Sequence, residues 1–255
     1  MKKIITRLLA NLDISIIRLE RLQRLKKRVK NIDEDMINLD ALLSEVTIFD
    51  KKNKSQLHQE IFVLLATNFK RGGFFVEFGA TNGIDLSNTY LLEKSYDWKG
   101  ILAEPAKIWH DDLFINRSSN IDTSCVWKSS HEKISFNVTN IPELSTITDY
   151  SSKDEHRKNR QNGIQCEVDT ISLEDLLKKY NAPRKIDFLS IDTEGSEFEI
   201  LSNFDFSKYD ISIIMVEHNY TEDRKKILTL LTKNGYERKF TEFSRWDDWY
   251  FLKNN

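Results

Sequence analysis

Phe74-Phe75-Val76-Glu77-Phe78-Gly79-Ala80-Thr81-Asn82-Gly83 is the stretch that decides how this chain folds. Its first half, rich in aromatic and branched side chains, reads as a buried strand. Gly79 and Gly83 then let the backbone turn sharply and come close to a ligand without an obstructing Cβ. The G-x-x-x-G spacing is not the G-x-G-x-x-G of a dinucleotide site. Glu77, inside the strand end, would repel a pyrophosphate but suits the ammonium of a cofactor that carries an amino acid.

Outward from this turn the pattern alternates. Residues 86–95 read as a helix, 100–104 as a second strand and 107–115 as a helix. Residues 121–127 and 134–138 are further strand candidates. The stretch 140–163 is polar and poorly periodic, a long excursion or a substrate-facing insert. Ser172 caps a short helix over 172–180, with Asp175 three residues on. Strands follow at 186–191 and 211–216, then a helix over 223–233 and two strand-like runs, 236–243 and 249–252. Upstream, 56–70 reads as a helix. Strands alternating with helices predict an α/β fold: a mostly parallel central sheet, helices on both faces and an antiparallel edge hairpin.

The chain divides into an extension, 1–50, and a domain, 51–255. Residues 1–30 carry ten Lys/Arg against Asp13 and Glu20, a local sum of +8, with Ile5, Leu8, Leu12, Ile16 and Leu19 at helical spacing. Such a basic amphipathic helix packs on its own domain or a twin subunit, or lies on an anionic membrane surface. Arg7 and Asp13 interrupt any signal-peptide core, so the segment is expected to be retained. No apolar run approaches the ~20 residues needed to span a bilayer. With 40% hydrophobic and 31% charged residues and a net charge of −2, the chain is an ordinary globular protein with no electrostatic reason to bind nucleic acid. Cys125 and Cys166 form no close pair, which argues against a disulfide framework or thiolate zinc and for a reduced, cytoplasmic setting, membrane association aside.

In open α/β sheets ligands bind beyond the carboxyl ends of the strands, where strand order reverses. Four features should converge there. The glycine turn is the first. Glu104, at the end of the second strand and followed by Pro105, can accept both hydroxyls of a ribose. Asp192-Thr193-Glu194-Gly195-Ser196-Glu197 ends a buried strand and opens a helix. Glu217-His218-Asn219 ends another, with His218 a candidate base.

These segments, in this order, resemble the FkbM family of S-adenosylmethionine-dependent methyltransferases. The likeness is carried by Ser55-Gln56, Gln59-Glu60, 75–80, Leu86-Ser87-Asn88-Thr89, Leu92-Glu93, Trp98, Gly100, Glu104-Pro105, Asp169-Thr170-Ile171 and, most strongly, 186–200 with its Asp192–Phe198 core. It covers roughly residues 54–252. His58 stands where relatives often carry glycine. The resemblance implies a class I methyltransferase (Rossmann-like) fold, S-adenosylmethionine as cofactor, and O-methylation, often of sugars or other glycan and natural-product hydroxyls.

On that reading Glu77, Gly79, Ala80, Asn82, Gly83, Ser87, Asn88, Glu104, Pro105 and Asp192 hold the cofactor. His218, Asp192 and Glu194 are the catalytic candidates, and His218 or Asp192 would take the acceptor's proton. The same Asp192, Glu194 and His218 would alternatively bind Mg²⁺ to activate a sugar diol. His156 and Arg157 from the insert, and Arg245 and Trp246 near the end, offer polar and aromatic contacts to a glycan or small-molecule acceptor. Two rivals stand beside this reading. A nicotinamide-dependent oxidoreductase is disfavoured by the missing G-x-G-x-x-G. A non-catalytic, membrane-tethered module of a glycan-assembly system is favoured only by the basic extension.

Overall fold

The computed structural model describes residues 53–241 and 243–253. The expected basic helix and the rest of the 1–50 extension lie outside them. In chain order the elements begin with α1 (Gln59–Ala66), β1 (Phe74–Phe78), α2 (Tyr90–Tyr96), β2 (Lys99–Ala103), α3 (His110–Asn116) and β3 (Asn120–Asp122). The middle of the chain supplies β4 (Cys125–Trp127), β5 (Lys133–Val138), β6 (Thr146–Ile147), β7 (Ile164–Ser172) and α4 (Leu173–Lys179). It closes with β8 (Lys185–Ile191), α5 (Glu197–Ser202), β9 (Asp210–Glu217), α6 (Asp223–Lys233), β10 (Tyr236–Lys239) and β11 (Asp247–Leu252).

Seven strands form the central sheet in the order β10-β11-β9-β8-β1-β2-β3. Every neighbouring pair is parallel except the two made by β11, which runs against both β9 and β10. The parallel core and the antiparallel edge are those the strand spacing predicts, and the order is that of a class I methyltransferase fold. Strand order reverses between β1 and β8, directly beneath the glycine turn.

Alternate residues of the strands feed two cores. Val76, Ile101, Leu189 and Ile214 pack on one face with Leu176 and Leu177 of α4, Ile200 of α5 and Ile227 of α6. Phe75, Leu102, Phe188 and Ile213 pack on the other with Phe62 and Val63 of α1, Leu91 of α2 and Leu113 of α3. Two-sided cover explains why β1 and β8 are apolar almost throughout. A second sheet, β4-β7-β5-β6, has a small core of its own around Phe136, Ile147 and Val168.

Three elements differ from the reading of the sequence. The expected strand over 121–127 is two strands in different sheets, broken where Asp122 accepts the Ser124 N–H at 2.9 Å. The helix expected from residue 86 starts at Tyr90, because Leu86 is left-handed (φ 62°) and Ser87–Thr89 turn inward onto Glu77. And β7, nine residues long, follows a stretch whose only expectation was an irregular insert.

Candidate functional site

At the carboxyl end of β1 the chain makes its closest approach to β8. A Cβ on Gly79 (φ +72°) would fall 2.0 Å from the Asp192 carbonyl oxygen, so no other residue fits without moving backbone. Gly83 (φ +79°) is needed for a different reason: its Cβ would strike the side chains of Arg117 and Leu113. Its role is to admit Arg117 beneath the turn.

Arg117 is fully buried. It donates to Glu93 Oε2 at 3.0 Å, to the Gly83 carbonyl at 3.0 Å and to the hydroxyls of Ser87 and Thr89 at 3.1 and 2.8 Å, and lies 3.7 Å from Glu77 Oε2. Glu77 in turn accepts from the Ser87 hydroxyl, from the Asn88 N–H at 2.6 Å and from the Thr89 hydroxyl at 2.5 Å. Buried carboxylates are tolerable when satisfied in this way. The turn and the segment that follows it are thus cross-braced before any ligand arrives.

One strand over, Glu104 accepts the Thr81 N–H at 2.9 Å and the Ala106 N–H at 2.7 Å, which fixes both its oxygens at the cleft's edge. Burial pushes its pKa up to about 7 against these two bonds.

On the other side of β1, the register Ile191↔Val216 carries on past the strand ends and sets Asp192 beside Glu217. Asp192, Glu194 and Glu217 bring one carboxylate oxygen each within 4.8 Å of the others. Asp192 meets solvent at the cleft mouth yet is surrounded by protein, and this desolvation, with Glu197, Asp247 and Glu77 nearby, pushes its pKa up to about 7. Glu217 and Glu194 are raised well above the usual carboxylate range, by burial first and then by Asp192. Only Glu194 has a cationic partner, Arg160, whose Nη2 lies 2.6 Å from Glu194 Oε2. Arg160, also fully buried, donates to the Leu144 carbonyl at 2.8 Å and to both oxygens of Asp154 at 2.8 Å. Asn219 adds a bond to Glu194 at 3.0 Å, and Thr146 one to its carbonyl at 2.9 Å. The polar stretch after β5 is therefore docked on the end of β8.

These parts enclose one cleft of about 330 Å³. Among the residues singled out in the sequence, Glu77, Gly79, Asn88, Glu104 and Pro105 line it, as do Asp192, Glu194, His156 and Trp246. Ala80, Asn82, Gly83 and Ser87 do not line it. Asn82 closes the turn, accepting the N–H groups of Ile84 and Asp85 at 2.9 Å, and Ser87 braces Glu77. Arg157 and Arg245 are exposed and outside the cleft. His218 is also outside it: its Nδ1 accepts the Tyr220 N–H at 3.0 Å and its Nε2 points toward Asp248, 3.7 Å away. Strand alternation sends Glu217 into the cleft and its neighbour His218 away. Glu217 thus takes the place beside Asp192 and Glu194 that the sequence reading gave to His218. That reading also missed Arg117, Arg160 and Asn219.

Two buried acceptors facing this cleft, Asn88 Oδ1 and Glu217 Oε2, have no hydrogen-bond donor among the described residues. A paired-acceptor edge at Glu104 suits a ribose diol, and the unsatisfied acceptors suit donors such as an ammonium or hydroxyls. The residues present therefore fit S-adenosylmethionine.

Residues 77–247 match the family model described as methyltransferase FkbM domain. A search of curated proteins gave no match. Among solved structures, a methyltransferase FkbM from Methylobacillus flagellatus KT is similar, with 12% identity and a TM-score of 0.44 over 84% of this chain and 60% of that one. A precorrin-6y C5,15-methyltransferase from Geobacter metallireducens GS-15 gives 9%, 0.41, 75% and 87% respectively. A TehB-like SAM-dependent methyltransferase from Corynebacterium glutamicum gives 9%, 0.40, 84% and 97%. The family match covers most of the described residues and spans every strand end of the cleft: the chain belongs to the FkbM methyltransferases, enzymes that use S-adenosylmethionine.

Proposed function

We propose that the chain transfers a methyl group from S-adenosylmethionine to a hydroxyl oxygen of a sugar, glycan or natural product. The observation that supports it most directly is that one cleft is lined both by Glu104 and by the Asp192 carboxyl, whose pKa is pushed up to about 7. The bound cofactor supplies a methyl group on a sulfonium leaving group. Glu104 holds the ribose hydroxyls, and Phe78, Pro105, Val126 and Phe136 offer apolar walls to the adenine. Asn88 and the Gly79 turn receive the amino-acid end.

Alignment alone contributes up to roughly 7–11 kcal/mol to such a displacement. An alcohol must also lose its proton, and a base titrating near neutrality suits that task, for about 10²–10⁴ in rate. Asp192 is the base in this reading, with Glu194 and Glu217 setting its charge. Trp246 and His156, on opposite sides of the acid cluster in sequence, present an aromatic face and a polar ring to a sugar.

Isothermal titration with S-adenosylhomocysteine, followed by a mass screen of glycan intermediates for the gain of one methyl, tests this. Binding of NAD and not of S-adenosylhomocysteine would overturn it. Residues 1–50 would add attachment to an anionic membrane surface or self-association; vesicle co-sedimentation of the full chain and of a chain lacking them checks the first.

A further inference from the structure

We propose that Asp192, Glu194 and Glu217 bind a divalent cation with hard oxygen ligands, Mg²⁺ or Mn²⁺, and that this cation holds the acceptor's hydroxyl. The inference rests on the cleft being a methyl-transfer site. The trio comes from two parallel strand ends, with Asp192 and Glu217 each following the last paired residues, Ile191 and Val216. An oxygen shell at about 2.0–2.6 Å from a metal places its members no more than roughly 4–5 Å apart. The three carboxylate oxygens, within 4.8 Å of one another, already satisfy that limit.

Glu217 is the second, separate indication. It is 8% exposed, its Oε2 is buried, and among the described residues no group donates to that atom. A buried carboxyl oxygen left so is costly unless a ligand supplies the missing positive partner. A proton shared between Asp192 and Glu217 leaves Oε2 as bare as before. Arg160 does not reach it either: one end of its guanidinium is taken by Asp154 and the other by Glu194. The neighbouring Glu197 is a different case, since it accepts from the N–H groups of Thr193 and Gly195 and from the Thr193 hydroxyl. All three bonds fall on its Oε1, and among the described carboxylates the one buried oxygen without a donor is Glu217 Oε2.

The donor set selects the ion. Three carboxylates with no thiolate or imidazole favour an oxygen-seeking cation over zinc or copper. All three residues line the cleft, so the remaining coordination positions face the acceptor and suit two neighbouring hydroxyls of a polyol. The cation lowers the pKa of the hydroxyl it holds; Asp192 is then a ligand and no longer the base, and the proton leaves to a water molecule at the cleft mouth. The alkoxide oxygen then forms its bond to the methyl carbon as the carbon–sulfur bond breaks, with that electron pair staying on sulfur.

The test is titration of the chelator-stripped full chain with Mn²⁺, followed by electron paramagnetic resonance, with and without S-adenosylhomocysteine. A single class of site is expected, weakened about tenfold or more by both Asp192→Asn and Glu217→Gln. Glu155→Gln, an acid of the same cleft outside the trio, should leave Mn²⁺ affinity unchanged. No bound Mn²⁺, or equal binding in the trio variants and the parent, overturns the proposal. So does a loss shared by Glu155→Gln. If S-adenosylhomocysteine binds while Mn²⁺ does not, the cation is refuted and methyl transfer stands. If Mn²⁺ binds while S-adenosylhomocysteine does not, the reading of the cleft fails instead. Circular dichroism of each variant identifies an unfolded one, and either trio variant alone then decides the matter.

Discussion

The two sides of the cleft are built alike and finished differently. Each is organised by a fully buried arginine, Arg117 under the glycine turn and Arg160 beneath the polar insert. Around Arg117 the acids Glu77 and Glu93 have their donors, supplied by Ser87, Asn88, Thr89, Ser118 and Ser119. Around Arg160 only Asp154 and Glu194 are paired, while Asp192 and Glu217 are left with raised pKa values and a bare oxygen. The first side has its buried acids supplied with donors before any ligand arrives, which suits the cofactor end proposed for it. The second keeps its electrostatic demand open, and so depends on what arrives.

Gly79→Ala strikes the seam between the two and should have the largest effect. Its Cβ has only the Asp192 carbonyl to push against, so we expect a loss of several kcal/mol in stability and no measurable S-adenosylhomocysteine binding by calorimetry. Asp192→Asn should separate the sides: turnover falls by about 10²–10⁴, roughly 3–5 kcal/mol, while S-adenosylhomocysteine affinity changes little. In the chelator-treated parent, where Asp192 carries no cation, any turnover should rise with pH through about 7 as Asp192 ionises, and the variant should lack that limb. An equal drop in cofactor affinity would show that the two sides are not independent.

A third prediction concerns the ground beneath the cofactor side. Glu60 of α1 is buried and holds the backbone of Lys54 and Ser55, and burial pushes its pKa up to about 8. An acid whose folded pKa is raised stabilises the fold below its ordinary value, near 4.5, and that contribution is lost as pH rises through about 8. Thermal stability should therefore decline between pH 5 and 9, on the order of a few kcal/mol, and Glu60→Gln should flatten the decline. Glu104→Gln should weaken S-adenosylhomocysteine by about tenfold without altering the Mn²⁺ titration, since a neutral amide accepts a ribose diol less well. Smallest is His58→Gly. His58 precedes α1 in the left-handed region, φ 62°, and the strain relieved should raise stability by at most about 1 kcal/mol in urea denaturation.

What the sequence showed and hid follows the same division. The glycine turn, Glu104 and Asp192 are local signals: a strand ends, and the next residue lines the cleft. Their place at a topological reversal could be read from alternation alone. Glu217 was harder, because a strand end misjudged by one residue exchanges it with His218, and alternation then points the wrong neighbour at the cleft. Arg117 and Arg160 left no signal, since neither belongs to a motif and the acids they meet at the cleft, Glu93 and Glu194, are 24 and 34 residues away in the chain. β7 did carry one. Ile164, Cys166, Val168 and Thr170 alternate with Gln165, Glu167 and Asp169, a pattern easily overlooked beside a polar excursion.

The docking of the 139–163 excursion has a consequence for how such an enzyme changes. It leaves from β5, returns into β7, and its main anchorage to the central sheet is the grip of Arg160 and Thr146 on Glu194. A replacement segment of another length that preserves that grip would present new walls to the acceptor while Glu77, Gly79 and Glu104 stay as they are. On the proposed function, acceptor preference would then diverge by grafting, without renegotiating the half of the molecule assigned to the methyl donor.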